Sequence, residues 1–462
     1  MQKHSWREAL LAYKHPRVIT MLFLGFSAGL PLYLSYGTLS LWLKQAGIDR
    51  GAITFFSWVG FAYGFKFLWA PLVDRLPLPG LQRLLGQRRS WLILAQVSVA
   101  VSLVLMANTD PSQTPLLIAF FAACLAFSSA TQDIVIDAYR VEAIEADYQG
   151  AMAATYQIGY RIAMILGGAG AIGIAGAEGS NVTYDLTAWQ ISYFSMAAFM
   201  AVGFITTLII REPERRISRD VMEFEAQADI FVERFAHLPP KAQKVIHWVY
   251  GAILCPFLDF FRRYGLISLL FLALIATFRI SDVVLGVMAN VFYEEMGFTL
   301  NEIAFYSKAF GVAMTLLGGL LGGLLVVRFG VMRVLLLGAF LSAATNLLFA
   351  YMAGQEKSVL LLAWVITADN IANGIAGPAF IAYMSSLTSV AYTATQYALF
   401  SSVMFILPKF IAGWSGTFVN EYGYSTFFTG TAVIGVPVLF LIALASRYMR
   451  PAEAGTSAQS AD

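Results

Sequence analysis

The sequence predicts an all-α membrane protein of about twelve transmembrane helices in two six-helix bundles. Three observations carry this. Hydrophobic residues make up 58% of the 462 and charged residues 13%, with a mean hydropathy of +0.69, well outside soluble norms. Apolar stretches of about 20 residues, enough to cross hydrocarbon, recur from Val18 to Ser446 with short polar breaks. A charged stretch between Arg211 and Gly265 splits them into two sets of six, and no alternating β-barrel pattern competes.

Span one follows a polar, basic segment containing Lys3, Arg7, Lys14 and Arg17. No small-residue cleavage site follows it cleanly, so it is expected to stay in the mature protein. Arg75, Arg83, Arg88 and Arg89 fill the loop after span two, the central stretch adds a run from Arg211 to Arg263, and Arg140, Arg328, Arg333, Arg447 and Arg450 fall on the same side. The other side has Lys44, Arg50 and Lys357. The positive-inside rule therefore places both termini and the central loop in the cytoplasm, which agrees with an even number of spans. Topology accounts for these basic residues, so the net charge of +2 does not point to nucleic acid. Cys124 and Cys255 both lie in apolar surroundings and offer no disulfide framework.

Residues 1–211 read as the first bundle, 212–264 as a cytoplasmic linker, 265–450 as the second bundle and 451–462 as a disordered polar tail. Two internal echoes support duplication. Ile53-Thr54-Phe55-Phe56-Ser57 at the start of span two returns as Ile303-Ala304-Phe305-Tyr306-Ser307 at the start of span eight. Ala138-Tyr139 with Tyr148 returns as Ala382-Tyr383 with Tyr392 at the same spacing. Parallel repeats of this kind place a substrate between the halves. Within the linker, His247 to Arg263 mixes Trp248, Tyr250, Ile253, Leu254, Phe257, Phe260 and Phe261 with basic residues, which suits an amphipathic interfacial helix or a plain spacer.

Twelve spans in two halves, with Asp74-Arg75 after span two and Gly86-Gln87-Arg88-Arg89 before span three, resemble the major facilitator superfamily. The chain departs from the usual loop: Pro71 precedes the acid, Leu76 to Leu85 is inserted, and the second half keeps Arg328, Gly330 and Arg333 without the acid. The resemblance implies a gating role for Asp74, Arg75, Arg88 and Arg89, with Arg140 nearby at the same end. A sharper likeness runs from Ala130-Thr131-Gln132-Asp133 to Asp137-Ala138-Tyr139-Arg140, then Gly150-Ala151-Met152-Ala153-Ala154 and Gly159-Tyr160-Arg161. Leu30-Pro31-Leu32 and Phe65-Lys66-Phe67-Leu68-Trp69-Ala70-Pro71-Leu72-Val73-Asp74 precede it. Together they resemble AmpG-type muropeptide permeases, while acetyl-CoA transporters share a signature resembling Thr131-Gln132-Asp133. The resemblance implies a bacterial inner-membrane permease that imports N-acetylglucosaminyl-1,6-anhydro-N-acetylmuramyl peptides with protons. It further implies a role in peptidoglycan recycling and in supplying signals for β-lactamase induction. A carrier of another organic anion such as acetyl-CoA is the alternative.

Read independently, the residues left inside spans are Asp133, Asp137, Asp282 and Asp369 with Lys66, Arg161, Arg279, Lys308 and Lys409. A charge at the centre of hydrocarbon costs about 2.5–3.5 kcal/mol on insertion scales, so each is expected to face a cavity or a partner. Asp133 and Asp137 share a helical face, with Arg140 one turn on. Burial disfavours the charged form of an incompletely paired carboxylate, so these two are the candidate proton carriers, Asp133 first; all four histidines lie outside the spans. Arg279 and Asp282 are spaced to neutralise one another. Lys66, Arg161, Arg279 and Lys308 are candidate ligands for substrate carboxylates. Gln132, Gln157, Asp369, Asn370, Asn373 and Gln396 are candidates for hydroxyls and amides, and Tyr33, Tyr36, Trp58, Tyr63, Tyr156 and Tyr160 for sugar faces. Glycines in spans five and eight permit close helix approach. No metal cluster, nucleophile–base pair or phosphate loop is present in the sequence, so an enzyme and a cofactor are not expected. Muropeptide, protons and lipid are the expected partners, with no nucleic acid and a monomeric chain.

Overall fold

The computed structural model describes residues 6–35, 37–48, 61–180, 184–213, 254–298 and 300–449, with positions 239, 243, 246, 248 and 250 between them. The echo at Ile53–Ser57, Tyr36 and Trp58, most of the linker and the tail lie outside the described residues. Among those described, every regular element is a helix. Eleven helices are long and apolar enough to cross a membrane. In chain order they are span one (Pro16–Gln45), three (Gln87–Ala107), four (Pro115–Ala143), five (Gln149–Gly179), six (Leu186–Ile209), seven (Ile267–Ala289), eight (Phe305–Phe329), nine (Val331–Met352), ten (Val359–Leu387), eleven (Val390–Ala412) and twelve (Ser415–Tyr448). Span two is represented by its second half, the helical pieces Phe61–Phe65, Lys66–Leu68 and Ala70–Arg75. Within the expected linker, Cys255–Tyr264 is a helix.

The two halves repeat in detail. Spans four and ten are each 29 residues long, and each is followed by a short 3₁₀ turn ending at the echoed tyrosine, Tyr148 or Tyr392. Gly86 and Gly330 precede spans three and nine with φ of 87° and 84°, a left-handed region that glycine alone enters freely. These two glycines turn the chain back into the membrane at matching places.

The core is divided unequally. At the end away from the basic loops, one apolar cluster is built wholly from first-half residues such as Leu30, Trp42 and Trp189, and another wholly from second-half residues such as Phe292, Phe349 and Phe428. At the basic end, the first-half cluster around Val73, Val135 and Ala138 also takes in Val327, Ala394 and Ala398 of the second half. The extensive cross-bundle contacts follow the same pattern among the described residues: span five meets eight and ten, and span eleven meets two and four. The N-terminal helix Trp6–Ala12 crosses onto span eight, where Trp6 lies 5.9 Å from the Arg328 guanidinium and the Tyr13 hydroxyl donates to the Leu320 carbonyl at 2.9 Å.

Small residues bring the helices together, as expected where apolar lipid gives no hydrophobic drive to association. Gly25 and Gly29 of span one lie on the backbone of Tyr156 and Tyr160 in span five, and Gly159 lies on Leu22 and Phe26 in return. Gly318 and Gly322 of span eight press on Ile371 and Ile375 of span ten, while Gly323 faces Ala154 across the bundle boundary. A methyl at Gly159 would overlap the Leu22 carbonyl, whereas one at Gly173 meets nothing within 4 Å. Gly159→Ala is expected to destabilise the fold by about 1–3 kcal/mol and Gly173→Ala by less than about 0.5 kcal/mol, read as thermal unfolding midpoints of the purified protein in one detergent.

Candidate functional site

The signature in span four presents three consecutive residues to three neighbours. Thr131 accepts a hydrogen bond from the Trp69 indole of span two at 3.1 Å. Gln132, fully buried, accepts from the Ser27 hydroxyl of span one at 3.3 Å, and its amide nitrogen has no partner among the described residues. The Gln96 amide nitrogen of span three also has none among them, while its oxygen accepts from Thr207 of span six. Asp133 lies within electrostatic range of Lys66 and Asp137, and one of its carboxylate oxygens is buried without a hydrogen bond from the described residues. Gln132 was expected at the substrate; instead it is directed into the first bundle. Thr131 and Gln132 tie span four to spans two and one, and Asp133 is left as the acid beside Lys66.

Asp137, one turn on, is the paired acid. Lys66 Nζ lies 3.7 Å from its Oδ2, and Arg140 donates to its Oδ1 at 3.4 Å. Arg140 is completely buried and donates to Gln149 at 3.2 Å and across the boundary to Ser385 of span ten at 2.6 Å. Its guanidinium also lies 5.0 Å from the Tyr397 ring of span eleven. Tyr156 lies within electrostatic range of both acids and of Tyr160 and Tyr397.

A second cluster closes the basic end. Asp74 Oδ1 accepts from Arg88 at 2.8 Å and from the Ala394 N–H at 3.2 Å; Oδ2 accepts from the Thr395 N–H at 2.8 Å and the Thr395 hydroxyl at 2.7 Å. The carboxylate thus caps span eleven of the opposite half, where the helix N-terminus favours negative charge. Arg88 also donates to Glu142, which accepts from Thr393 of span eleven. Arg88 thus stands between two carboxylates, and the N-terminus of span eleven adds a field that favours their negative charge. Asp74 and Arg88 are 4% and 1% exposed, so a lone partner would be left uncompensated. Arg75 lies 5.6 Å from the Tyr392 ring. Arg89, expected at the gate, instead donates to the carbonyls of Thr207 and Leu208 at the end of span six, within its own bundle.

The remaining candidates separate into two sets. Arg161 of span five lies within electrostatic range of Arg279 from the other half and of Tyr160 and Tyr33. No ion pair reaches Arg161 among the described residues, and Tyr33 is 40% exposed. The Gln157 amide packs on Gly377 of span ten. These residues from spans one, five, seven and ten come together between the halves. Asp282, Asp369, Asn370 and Asn373 instead turn into the second bundle: Ser342 of span nine donates to Asp282, Thr345 approaches Asp369 at 3.4 Å, Asn373 donates to Asp369 at 3.2 Å and Thr315 of span eight donates to Asn370 at 2.7 Å. Arg279 lies 4.0 Å from Asp282. Gln396 is also removed from the central set, since its amide is held by Arg263, Asp259, the Pro256 carbonyl and the Ser389 N–H. It fastens the linker helix to span eleven. The Lys308 side chain lies outside the described residues.

Glu142, Ser385, Thr393, Thr395 and Tyr397 were not expected at the site. The tyrosine echo offered a signal for the last three, because it aligns the start of span eleven with that of span five, where Gln149 meets Arg140.

With this geometry in place, comparison with known proteins identifies the lineage. The sequence pattern of the Major Facilitator Superfamily matches residues 21–412. A protein of Rickettsia felis named putative transporter AmpG 4 is 33% identical over 430 residues, covering 93% of this chain and 96% of the relative. The anhydromuropeptide permease of Escherichia coli K12 is 31% identical over 434 residues, covering 94% and 80%. Among solved structures, the transporter FucP in its outward conformation aligns with a TM-score of 0.66 at 13% identity, covering 94% of this chain and 99% of that one. The proton:xylose symporter XylE aligns at 0.59 and 13%, covering 95% and 96%; likeness at that identity speaks to the fold alone. The chain is a transporter rather than an enzyme, and it belongs to the AmpG-type permeases of the Major Facilitator Superfamily.

Proposed function

We propose that this protein is a proton-coupled inner-membrane permease that imports N-acetylglucosaminyl-1,6-anhydro-N-acetylmuramyl peptides from periplasm to cytoplasm by alternating access. It thereby serves peptidoglycan recycling and supplies the signals for β-lactamase induction. The observation that carries the reading is the approach of Arg161 and Arg279 from opposite halves, with no carboxylate paired to Arg161 among the described residues. Two like charges within electrostatic range across a bundle boundary repel until an anion joins them, and guanidinium grips a carboxylate with two parallel bonds. A peptide stem supplies carboxylates and its sugars supply ring faces for Tyr33 and Tyr160. The name of the Escherichia coli relative supports the same substrate class.

In this reading residues 1–211 and 265–450 are the two rocking units, 212–264 links them in the cytoplasm, 451–462 is a disordered tail, and the chain acts as a monomer. The basic end is cytoplasmic, so the Asp74, Arg88 and Glu142 cluster holds the cytoplasmic side shut. Protonation of Asp133 frees Lys66 from an opposing charge, and binding of the anion then favours closure of the periplasmic side. Release follows deprotonation in the cytoplasm.

Uptake of labelled anhydromuropeptide into proteoliposomes tests this directly. An inward proton gradient is expected to drive accumulation in the parent, and Asp133→Asn to abolish it while binding survives; gradient-driven accumulation by that variant would remove Asp133 from its role. Arg161→Gln is expected to weaken binding by about 1.5–3 kcal/mol, roughly tenfold to a hundredfold in Kd. No uptake by the folded parent, together with saturable acetyl-CoA binding, would move the assignment to another organic anion. Asp74→Asn removes the charge from the cap on span eleven, and a cysteine placed near Ser385 is expected to label faster from the cytoplasmic side; unchanged labelling would count against the cluster as a gate.

A further inference from the structure

The acids inside the second bundle have a hydrogen-bonding arrangement that identifies a further ligand. The Thr345 hydroxyl has a single proton, and it lies 2.9 Å from the Ser342 carbonyl and 3.4 Å from Asp369 Oδ1. The hydroxyl reaches both acceptors but donates to one at a time, and when it donates to the nearer carbonyl its lone pairs are available to the carboxyl group. A proton on Asp369 makes this contact a donated hydrogen bond. Asn373 donates to the same carboxyl oxygen at 3.2 Å, which a protonated acid still accommodates. We propose that Asp369 is a second proton-binding site, separate from span four, and that its occupancy is linked through Asp282 and Arg279 to an anion held between Arg161 and Arg279.

The groups facing this site set the direction of the linkage. Span seven brings Arg279 and Asp282 within electrostatic range of Asp369, and its helix, continuing to Glu295, brings Tyr293. Span nine brings the hydroxyls of Ser342 and Thr345, span ten brings Asn373, and span five brings Arg161 within electrostatic range of Arg279. A cavity of about 10 Å³ touching Ser281, Asp282 and Ser342 has room for roughly one water at the Asp282 end. With both acids ionised, Asp282 and Asp369 balance the two arginines and an arriving anion meets a neutral group. With Asp369 protonated, the same four residues carry one net positive charge. Arg279 is then held by Asp282 alone, at 4.0 Å. Proton binding therefore strengthens anion binding, and by reciprocity the anion strengthens proton binding. The proton itself attaches to a carboxylate oxygen and leaves from it, with no other bond made or broken.

The linkage rests on the anionic-substrate reading, but the proton site does not, and two measurements keep them distinct. Infrared difference spectra between acidic and alkaline buffer, taken on the full chain carrying Asp133→Asn, report protonated carboxyl groups without any substrate. A titrating carboxylic-acid band is expected there, absent when Asp369→Asn is added and restored by Asp369→Glu. A spectrum without such a band, or one that Asp369→Asn leaves intact, overturns the proton site. Binding of N-acetylglucosaminyl-1,6-anhydro-N-acetylmuramyl tripeptide is then measured against pH in the same Asp133→Asn background. Affinity is expected to fall as pH rises, and adding Asp369→Asn, permanently neutral, to hold it about fivefold tighter at alkaline pH, at the lower end of ordinary coupling. Equal pH dependence with and without Asp369 overturns the linkage. Absence of tripeptide binding at any pH overturns both the linkage and the substrate assignment while leaving the infrared result to decide the proton site.

Discussion

The interaction on which the rest of the structure depends is the capping of span eleven by Asp74, a carboxylate from the other half. Its two oxygens receive two backbone N–H groups, one hydroxyl and Arg88. A carboxylate at a helix N-terminus is favoured by the orphaned donors and the helix dipole together. Here that local rule operates between bundles and holds the basic end closed. The charged lock also suits a gate better than an apolar one of equal area. Under the proposed alternating access, opening of this end would let water hydrate Asp74, Arg88 and Glu142, so the loss of their mutual contacts would be largely offset. An apolar seam has no such compensation, since opening exposes it to water at full cost.

The proposed gate requires bundles stiff enough to move as units. Gly25, Gly29 and Gly159 bring spans one and five to backbone contact, and Gly318, Gly322 and Gly374 do the same for spans eight and ten. Close-packed interiors are bistable rather than continuously deformable. The same seams hold the site residues: Tyr156 and Tyr160 give their backbones to the glycines of span one and their rings to the acids of span four and to Arg161. Small residues on one face of span five thus determine where its polar face stands.

The all-helical membrane class and the place of Asp74 at the end of an apolar run were legible because each depends on a local or one-dimensional signal, hydropathy and an acid where a span stops. The direction of a side chain within a bundle depends on neighbours, and there residue type misled. Gln132, Asp133 and Gln396 all read as polar groups inside a span, yet only Asp133 remains beside Lys66. Gln132 meets Ser27, which is distant in sequence, and Gln396 meets the linker helix. Arg89 is part of the same loop run as Arg88, but one residue is 100° of helix, enough to send it to span six instead of Asp74. Asp282 and Asp369 were visible as charges and their partners were not, because Ser342 and Thr345 of span nine are unremarkable hydroxyls until the fold brings them alongside.

The intramembrane charges also bear on energetics. Lys66 and Arg140 balance Asp133 and Asp137, and Arg161 and Arg279 balance Asp282 and Asp369. With all eight ionised, both groups are neutral. Moving one net charge through the membrane potential costs or yields about 2.3 kcal/mol per 100 mV. These two groups therefore add nothing to that contribution when the carrier returns empty, while Lys308 and Lys409 stand outside the balance. On the loaded step the charge added is the difference between bound protons and substrate carboxylates. Under the proposed import, an anion drawn toward a negative interior is opposed by the potential unless protons accompany it. A proton on Asp133 and another on Asp369 would neutralise a substrate of two negative charges. The balance within these two groups therefore allows proton number to be matched to substrate charge without either group adding a penalty to the return of the empty protein.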